Sequence, residues 1–364
     1  MAERTKVDVL VVGSGPAGSV TARYAAQNGA SVMMIERRPE VGVPVRCGEF
    51  MVSNGEIMGM FPNLEDVEEL FDVPDSLRCR DIIGIKLVDP KARETILDFD
   101  GYTTDRDRFD QYLAKLAVDS GAELVNNCAF SQIEDGVAKT NQGDIEYKVI
   151  VGADGPGSRV ARSLGLARNH NPYPAVTAQV KGDFDPYTVM FFGDIAPGAY
   201  SWIIPKDGRA NVGVGFSPKF AHGNLGEYFD TFAKKNGFEE HSKLEGKYVP
   251  SEGPIDRTVS GNGMVVGDAA GQVISVNGGG IPLAMIAGRI CGQVAAANVK
   301  SGSPLQNYDD QWRRIMEKPL KTAALNKRLA DTFAFRSETS TELCMRLLGN
   351  RRLGNLIRCK SIFP

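Results

Sequence analysis

The segment "VDVLVVGSGPAGSVTARYAAQNGASVMMIERR", residues 7–38, constrains the fold more than any other part of the chain. Val7 and Val9 to Val12 make a near-continuous apolar run, as a parallel strand covered on both faces requires. Small residues then line a helix predicted from about Pro16 to Asn28, Gly29 ends it, and "SVMMIE" reads as a second strand. Between the first strand and the helix stands Gly13-Ser14-Gly15-Pro16-Ala17-Gly18, a G-x-G-x-x-G. Gly13 allows a tight turn, Gly15 lets the backbone approach a pyrophosphate, and Gly18 lets helix and strand pack closely. The helix N-terminus then offers unpaired N–H groups and a positive dipole end to the phosphates. Glu36 closes the second strand, where an acid accepts hydrogen bonds from a ribose diol. Strand, glycine turn, helix, strand and acid fall in register, which is the pattern of a dinucleotide-binding unit.

The identity of the dinucleotide follows from a distant segment, "GNGMVVGDAAGQVISVNGGGIPLAMIAG". A strand ends in Gly267-Asp268, and Gly278-Gly279-Gly280 opens a helix. A carboxylate at a strand end, followed by a helix start, suits a second set of ribose-type hydroxyls and an electron-rich ring lying over backbone N–H groups. NAD rarely needs such a second, distant site; an extended FAD does. The same region is the most apolar of the chain, but Asp268, the triple glycine, Pro282 and Arg289 interrupt it, so it does not read as a membrane span.

The remaining segments organise around this pair. "TTDRDRFDQYLAKLAVDSGAELV" predicts a helix feeding a strand, with Asp105 as N-cap and Phe109, Leu113, Leu116 and Ala117 on one face. "GVAKTNQGDIEYKVIVGADG" predicts a hairpin turned at Asn141-Gln142-Gly143 and a strand ending at Asp154-Gly155. From about Asn169 to Pro254 short alternating strands predict an antiparallel sheet, broken by one helix near Leu225 to Asn236. From Ser303 onward the chain reads as helical and rich in Arg and Lys. The expected fold class is α/β, a Rossmann-type FAD-binding domain with an antiparallel β substrate domain and C-terminal helices. The first domain is discontinuous over 1–75, 99–168 and 255–300, the second takes 76–98 and 169–254, and 301–364 form the helical region.

Composition narrows the function classes. A formal net charge of −3 argues against a nucleic-acid partner. Six cysteines, at 47, 79, 128, 291, 344 and 359, show no C-x-x-C and no metal-ligand spacing, which suits reduced thiols in the cytoplasm. His170, His222 and His241 stand in polar contexts, and no metal site is expected. "MAERTKVDVLVV" carries no secretory n-region and h-region.

The fingerprint, Arg106 in "RDRFD", "ADGPGSRVAR" and "VVGDAA…GGGI" together resemble the FAD fold of p-hydroxybenzoate hydroxylase-type flavoproteins. The resemblance implies cofactor contacts at Gly13, Gly15, Ala17, Gly18, Glu36 and Arg37 in the first unit. It implies further contacts at Arg46, Cys47, Gly48, Arg106, Ala129 and Asp154. At the second glycine cluster it implies Gly267, Asp268, Gly279, Gly280 and Ile281.

Two motifs resemble one subgroup, the geranylgeranyl reductase family in its archaeal digeranylgeranylglycerophospholipid reductase-like branch. Pro44-Val45-Arg46-Cys47-Gly48-Glu49 is similar to that family's P-x-R-C-G-E segment beside the flavin. In "YSWIIPKDGRANVGVG", Tyr200, Trp202, Pro205, Gly213 and Gly215 resemble its Y-x-W-x-F-P…G-x-G substrate signature. The resemblance implies hydrogenation of isoprenoid C=C bonds in geranylgeranyl chains, a prenylated lipid substrate, and an external electron donor, ferredoxin or NAD(P)H. It also places the catalytic candidate, Cys47, beside the isoalloxazine, with Arg46 tuning the thiol. The plainer reading makes Cys47 a small packing residue and Arg46–Glu49 a simple ion pair.

Departures keep rivals open. The family commonly has D-P-x-T-G-G-G where this chain has Ile274-Ser275-Val276-Asn277 before Gly278. "YSWIIP" also resembles the W-x-W-x-I-P signature of flavin-dependent halogenases, with Tyr200 for the first Trp. Those enzymes lack R-C-G-E, and the sequence places no lysine clearly as a halogenating residue. An FAD-dependent monooxygenase and a non-catalytic flavin-binding redox protein are the remaining alternatives. The tail "RLLGNRRLGNLIRCKSIFP" reads either as a peripheral contact with the inner face of the membrane or as a solvated basic helix. The chain is expected to act as a monomer.

Overall fold

A computed structural model of the protein describes residues 5–221 and 223–363. The first four residues, His222 and Pro364 lie outside the described residues.

Two eight-stranded sheets carry the fold. The first runs Val259–Ser260, Gly263–Val265, Gly143–Gly152, Thr5–Val12, Val32–Ile35 and Glu123–Val125, with the hairpin Phe130–Glu134/Val137–Thr140 attached beside Gly143–Gly152. Its centre is parallel: Val9 pairs with Val32 on one side and Val149 on the other. The apolar run is explained by what covers each face. Val9, Val11, Met34, Val149 and Val151 join the core beneath the helices Pro16–Gln27, Arg106–Asp119 and Ile281–Ser301. Leu10, Val12, Met33, Ile35 and Ile150 join a second core under the hairpin and the short helix Arg159–Ser163. Each such side chain contributes about 1.5–3 kcal/mol on burial, so alternation into two cores fixes strand register tightly.

Two helices pack unusually close. A Cβ on Gly288 would lie 2.8 Å from the Ala17 carbonyl oxygen, and one on Gly292 would lie 2.4 Å from that of Thr21. Four residues apart, both glycines fall on one helix face. The contacts advance together along both chains, so Pro16–Gln27 and Ile281–Ser301 run in the same direction and their N-termini open at the same end.

The second sheet runs Glu245–Val249, Tyr173–Lys181, Arg209–Gly215, Ser201–Lys206, Tyr187–Phe191, Arg78–Val88, Glu94–Thr104 and Phe50–Val52. It is antiparallel except where Tyr187–Phe191 pairs parallel with Arg78–Val88. Those two strands come from separate stretches of chain, so no hairpin dictates their relative direction. The helix Leu225–Lys235, capped by Asn224, buries Phe229 and Phe232 against this sheet.

The C-terminal region is mostly helical, with π-helical turns at Arg313–Glu317 and Ala330–Ala334. In Glu338–Ile357 the helix breaks at Gly349, whose φ is +62°. Beyond the break Leu353 and Ile357 bury against Ile85, Leu87 and Phe99, and Arg358 Nε donates to Glu56 Oε2 at 2.7 Å. The second half of the basic tail is therefore fold, not a free helix. Among the described residues no helix is long and apolar enough to cross a membrane, and no cluster of His, Cys, Asp and Glu could hold a metal ion.

Candidate active site

Between the two sheets lies a cavity of about 890 Å³. The first turns of both parallel helices open on it, through Gly15, Pro16 and Ala17 and through Gly280, Ile281 and Pro282. Two positive helix ends thus face one space.

The three fingerprint glycines divide their work. A Cβ on Gly15 would meet nothing within 4 Å, so Gly15 frames open cavity. A Cβ on Gly13, whose φ is +101°, would lie 2.4 Å from the Ala153 oxygen, and one on Gly18 would lie 1.8 Å from the Gly13 oxygen. Those two glycines serve the turn and the packing. Glu36 braces the turn: its carboxylate accepts from Ser14 N at 3.2 Å, Ser14 Oγ at 2.9 Å and Arg38 N at 3.0 Å.

The lining carries unused hydrogen-bonding capacity. Arg46 Nε, Asp154 Oδ1 and Ser275 Oγ are buried without a hydrogen bond, and all three residues line the cavity. Asp154 spends its other oxygen on Arg159 N at 2.7 Å and Val160 N at 3.2 Å. Burial raises its carboxyl above the ordinary value, and bonds from Ser158, Val160 and Arg159 offset this only in part. Buried polar groups are normally satisfied, so these orphans, the open cradle at Gly15 and two helix ends fit an extended dinucleotide such as FAD.

Every residue expected at the cofactor lines the cavity except Gly18 and Gly267, which pack behind it. Of the expected substrate residues, Tyr200, Trp202 and Gly215 line it, whereas Pro205 and Gly213 do not. The Pro205 carbonyl accepts from Thr103 Oγ1 at 3.0 Å. Gly213 lies under the indole, where a Cβ would come within 2.1 Å of Trp202 Cζ2. Asp105 does precede the Arg106–Asp119 helix as N-cap, but its carboxylate makes no capping bond and pairs with Lys206 and Arg209 instead.

Cys47 is held by a different arginine from the one its neighbourhood in sequence suggests. Arg106 Nη1 donates to Cys47 Sγ at 3.0 Å, and Glu49 N donates to the same sulfur at 3.2 Å. Arg106 is itself clamped by Asp110, Nε to Oδ1 and Nη2 to Oδ2, both at 3.0 Å. Burial works against the Arg106 charge, but Asp110, then Cys47 and Glu49, hold its pKa above the ordinary value. Arg46 instead faces Glu245, Nε to Oε2 at 3.5 Å. The expected Arg46–Glu49 pair is thus corrected, since side chains at i and i+3 on an irregular loop need not meet, and the guanidinium bonded to Cys47 is that of Arg106.

Glu49 is the hub that sequence reading missed. It is buried, with φ at +66° in the left-handed region. Oε1 accepts from Arg106 N at 3.1 Å and Lys206 Nζ at 3.0 Å; Oε2 accepts from Gln179 Nε2 at 2.6 Å and Asn211 Nδ2 at 2.9 Å. Asn211 also donates to the Cys47 carbonyl at 2.8 Å and accepts from Trp202 Nε1 at 2.8 Å. A non-glycine residue persists in a sparsely populated conformation only where its surroundings over-determine it, and here four donors do. Nothing in "PKDG" marks Lys206 as a buried partner of Glu49.

The lining also has an apolar part, where Ile85, Phe99, Met190 and Phe192 stand with Tyr200 and Trp202. Tyr200 Oη donates to the Asn277 carbonyl, and burial raises its pKa. Lys327, also in the lining, donates from Nζ to Tyr173 Oη at 2.6 Å, pairs with Asp331 and lies over the Phe335 ring.

The chain is similar to known proteins along most of its length. Residues 173–248 match the geranylgeranyl reductase catalytic domain, and residues 11–59 match an NAD(P)-binding Rossmann-like domain. The digeranylgeranylglycerophospholipid reductase 2 of Methanopyrus kandleri is 33% identical, covering 87% of this chain and 84% of its own. That of Thermoplasma volcanium is 34% identical over 90% of this chain and 86% of its own. A geranylgeranyl bacteriochlorophyll reductase-like protein from Thermoplasma acidophilum superposes with a TM-score of 0.82 at 30% identity, covering 94% and 91% of the two chains. The flavin-dependent brominase Bmp2 shares the fold, with a TM-score of 0.72 at 20% identity over 98% and 94% of the chains. With relatives matched along most of both chains, this chain belongs to the digeranylgeranylglycerophospholipid reductase family.

Proposed function

We propose that the chain binds FAD in the cavity and hydrogenates C=C bonds in geranylgeranyl chains of archaeal-type membrane lipid precursors. The observation that carries the reading is that Cys47 lines the same cavity as the fingerprint turn and as the apolar side chains around Tyr200 and Trp202. Reduced flavin supplies a hydride equivalent when bound; the rest falls to side chains. The Gly13–Gly18 turn and the helix start hold the pyrophosphate, Glu36 the ribose, and Arg46, Arg106, Asp154 and Asp268 the remaining polar groups. The first sheet with its helices is the FAD-binding unit, and the second sheet with Tyr200, Trp202 and Gly215 is the substrate unit. The apolar part of the lining holds the prenyl chain and excludes water. Arg106 Nη1 and Glu49 N occupy the acceptor side of the Cys47 sulfur. Its S–H is then free to point into the cavity and give the proton that completes alkane formation, with water returning it.

The two electrons come from an external carrier, ferredoxin or NAD(P)H. The substrate arrives from the inner face of the membrane, on which the cytoplasmic monomer rests peripherally. Phe333, Leu343 and Leu347 are exposed on the C-terminal helices, and Phe363 is exposed in the segment that follows them. Arg346, Arg351 and Arg352 are exposed among them, a mixture suited to an anionic lipid surface. Because Leu353 and Ile357 are core, Leu347→Glu rather than deletion of the tail is the informative variant. Co-sedimentation with anionic vesicles should fall; unchanged binding removes the membrane role.

The decisive experiment reduces the purified protein with dithionite under nitrogen and adds geranylgeranylated lipid. Mass increments of two hydrogens are expected. Oxygen or halide incorporation in air, with no hydrogenation under nitrogen, would overturn the reductase reading.

A further inference from the structure

The strand Glu245–Val249 lies at the edge of the second sheet, paired on one side only, with Tyr173–Lys181. Alternate residues of a strand share a face, and on this strand they reach three separate cofactor-side segments. Glu245 meets Arg46. Lys247 Nζ lies 2.7 Å from Asp268 Oδ2. Val249 Cγ1 would be 3.5 Å from a Cβ on Gly278. The edge strand therefore crosses the cavity from the loop at Cys47 to the second glycine cluster.

Lys247 has the more informative position. Its partner's neighbour Gly267 packs on the first turn of the fingerprint helix, where a Cβ on Gly267 would lie 2.9 Å from Ala17 Cβ. An ammonium bonded to Asp268 is thus held beside the helix N-terminus that frames the pyrophosphate cradle. Among the other cavity cations, Arg106 bonds Asp110 and Cys47, Arg159 Nη1 the Phe130 carbonyl, and Lys327 Asp331 and Tyr173, while Arg37, Arg38 and Arg46 come from the first unit and its following loop. Lys247 itself lines the cavity and keeps 41% of its side chain accessible. Neither the fingerprint nor the resemblance points to it, because it comes from the substrate sheet.

We infer that Lys247 is a phosphate ligand of the dinucleotide site, a cation that Asp268 holds ready for the pyrophosphate and that ties the edge strand over the bound cofactor. Asp268 serves it as a counter-ion before binding and as a positioning group afterwards. Arg46–Glu245 is the second tie of the same clasp, at the flavin end.

The inference rests on the FAD reading of the cavity, and its test separates the two. Dissociation constants for FAD and for riboflavin, which lacks phosphate, are measured by flavin fluorescence on wild type, Lys247→Met and Lys247→Arg, at low and high salt. Loss of one charge-assisted hydrogen bond should weaken FAD by roughly tenfold or more in Lys247→Met. The salt dependence of FAD binding should shrink, riboflavin affinity should stay unchanged, and Lys247→Arg should restore most of the loss. Equal weakening of both flavins, or of neither, overturns the phosphate role while leaving the FAD site intact. A wild-type protein that binds neither flavin overturns the FAD reading and the inference together.

Discussion

Two lysine–carboxylate pairs flank Cys47, and they differ in nearly everything but chemistry. Lys206–Glu49 is sealed, with side chains 1% and 2% exposed, and its carboxylate has every direction filled by a donor. Lys247–Asp268 stands at 41% and 18% exposure on the wall of a cavity whose lining also holds buried polar atoms without a hydrogen bond. The first pair ties the Cys47 loop to the second sheet and is complete as it stands. The second spans the space where the cofactor is placed. A satisfied buried network specifies the fold; unfilled polar capacity around a cavity marks where a ligand finishes the structure.

The largest expected effect breaks the sealed pair. Lys206→Met leaves Glu49 buried without its counter-ion and should cost about 3–5 kcal/mol of stability in urea unfolding. Lys247→Met in the cofactor-free protein should cost under about 1 kcal/mol, as partly exposed pairs do. Equal losses in the two variants would erase the distinction between them.

Cys47 lies at the junction, and its removal tests the function rather than the fold. Cys47→Ala should keep bound FAD and its melting temperature but lose alkene reduction by about 100-fold or more, the usual yield of a positioned proton donor. Full activity in this variant would leave the thiol a packing residue and pass the proton to water or the flavin.

The fingerprint glycines carry the same contrast into a single motif. Gly18→Ala drives a methyl into the Gly13 carbonyl and should destabilise the cofactor-free protein by about 1–3 kcal/mol. Gly15→Ala, whose methyl would enter open cavity, should leave that protein's melting curve alone and weaken FAD instead. The measurement is one thermal melt and one flavin titration for each variant.

How much of this was legible beforehand follows a physical division. Local patterns showed the Pro16–Gln27 helix, the hairpin at Asn141 and the helix near Leu225, because periodicity and turn chemistry are written in adjacent residues. The motif residues of the cradle were readable because glycine turns and strand-end acids recur at fixed spacing. Contacts between distant segments were not. Nothing near Cys47 in sequence announces Arg106 as its donor, nor Lys206 as the partner of Glu49. Nothing in "EGKYVP" marks Lys247 as facing Asp268. The parallel pairing of Tyr187–Phe191 with Arg78–Val88 was hidden for the same reason. A basic tail looked surface-bound until Leu353 and Ile357 proved to be core.

The smallest expected effect is a pH dependence of opposite sign in the two regions. At the sealed network, burial works to raise the Asp105 carboxyl, but hydrogen bonds from Lys206 and Arg209 outweigh it and hold its pKa below the ordinary 3.8. A carboxyl depressed in the folded state binds fewer protons there than when unfolded. Its stabilisation is therefore present above pH 3.8 and is lost as pH falls through the folded value. Asp154, on the cavity wall, is raised above 3.8 by burial. Its contribution is present below 3.8 and is lost as pH rises through the folded value. Asp105→Asn should flatten the acid-side fall in unfolding free energy between about pH 4 and pH 2. Asp154→Asn should remove a decline that begins near the ordinary carboxyl range and runs upward. Urea unfolding across that range reads both slopes, and a shared sign would mean that the cavity carboxylate is as well satisfied as the sealed one.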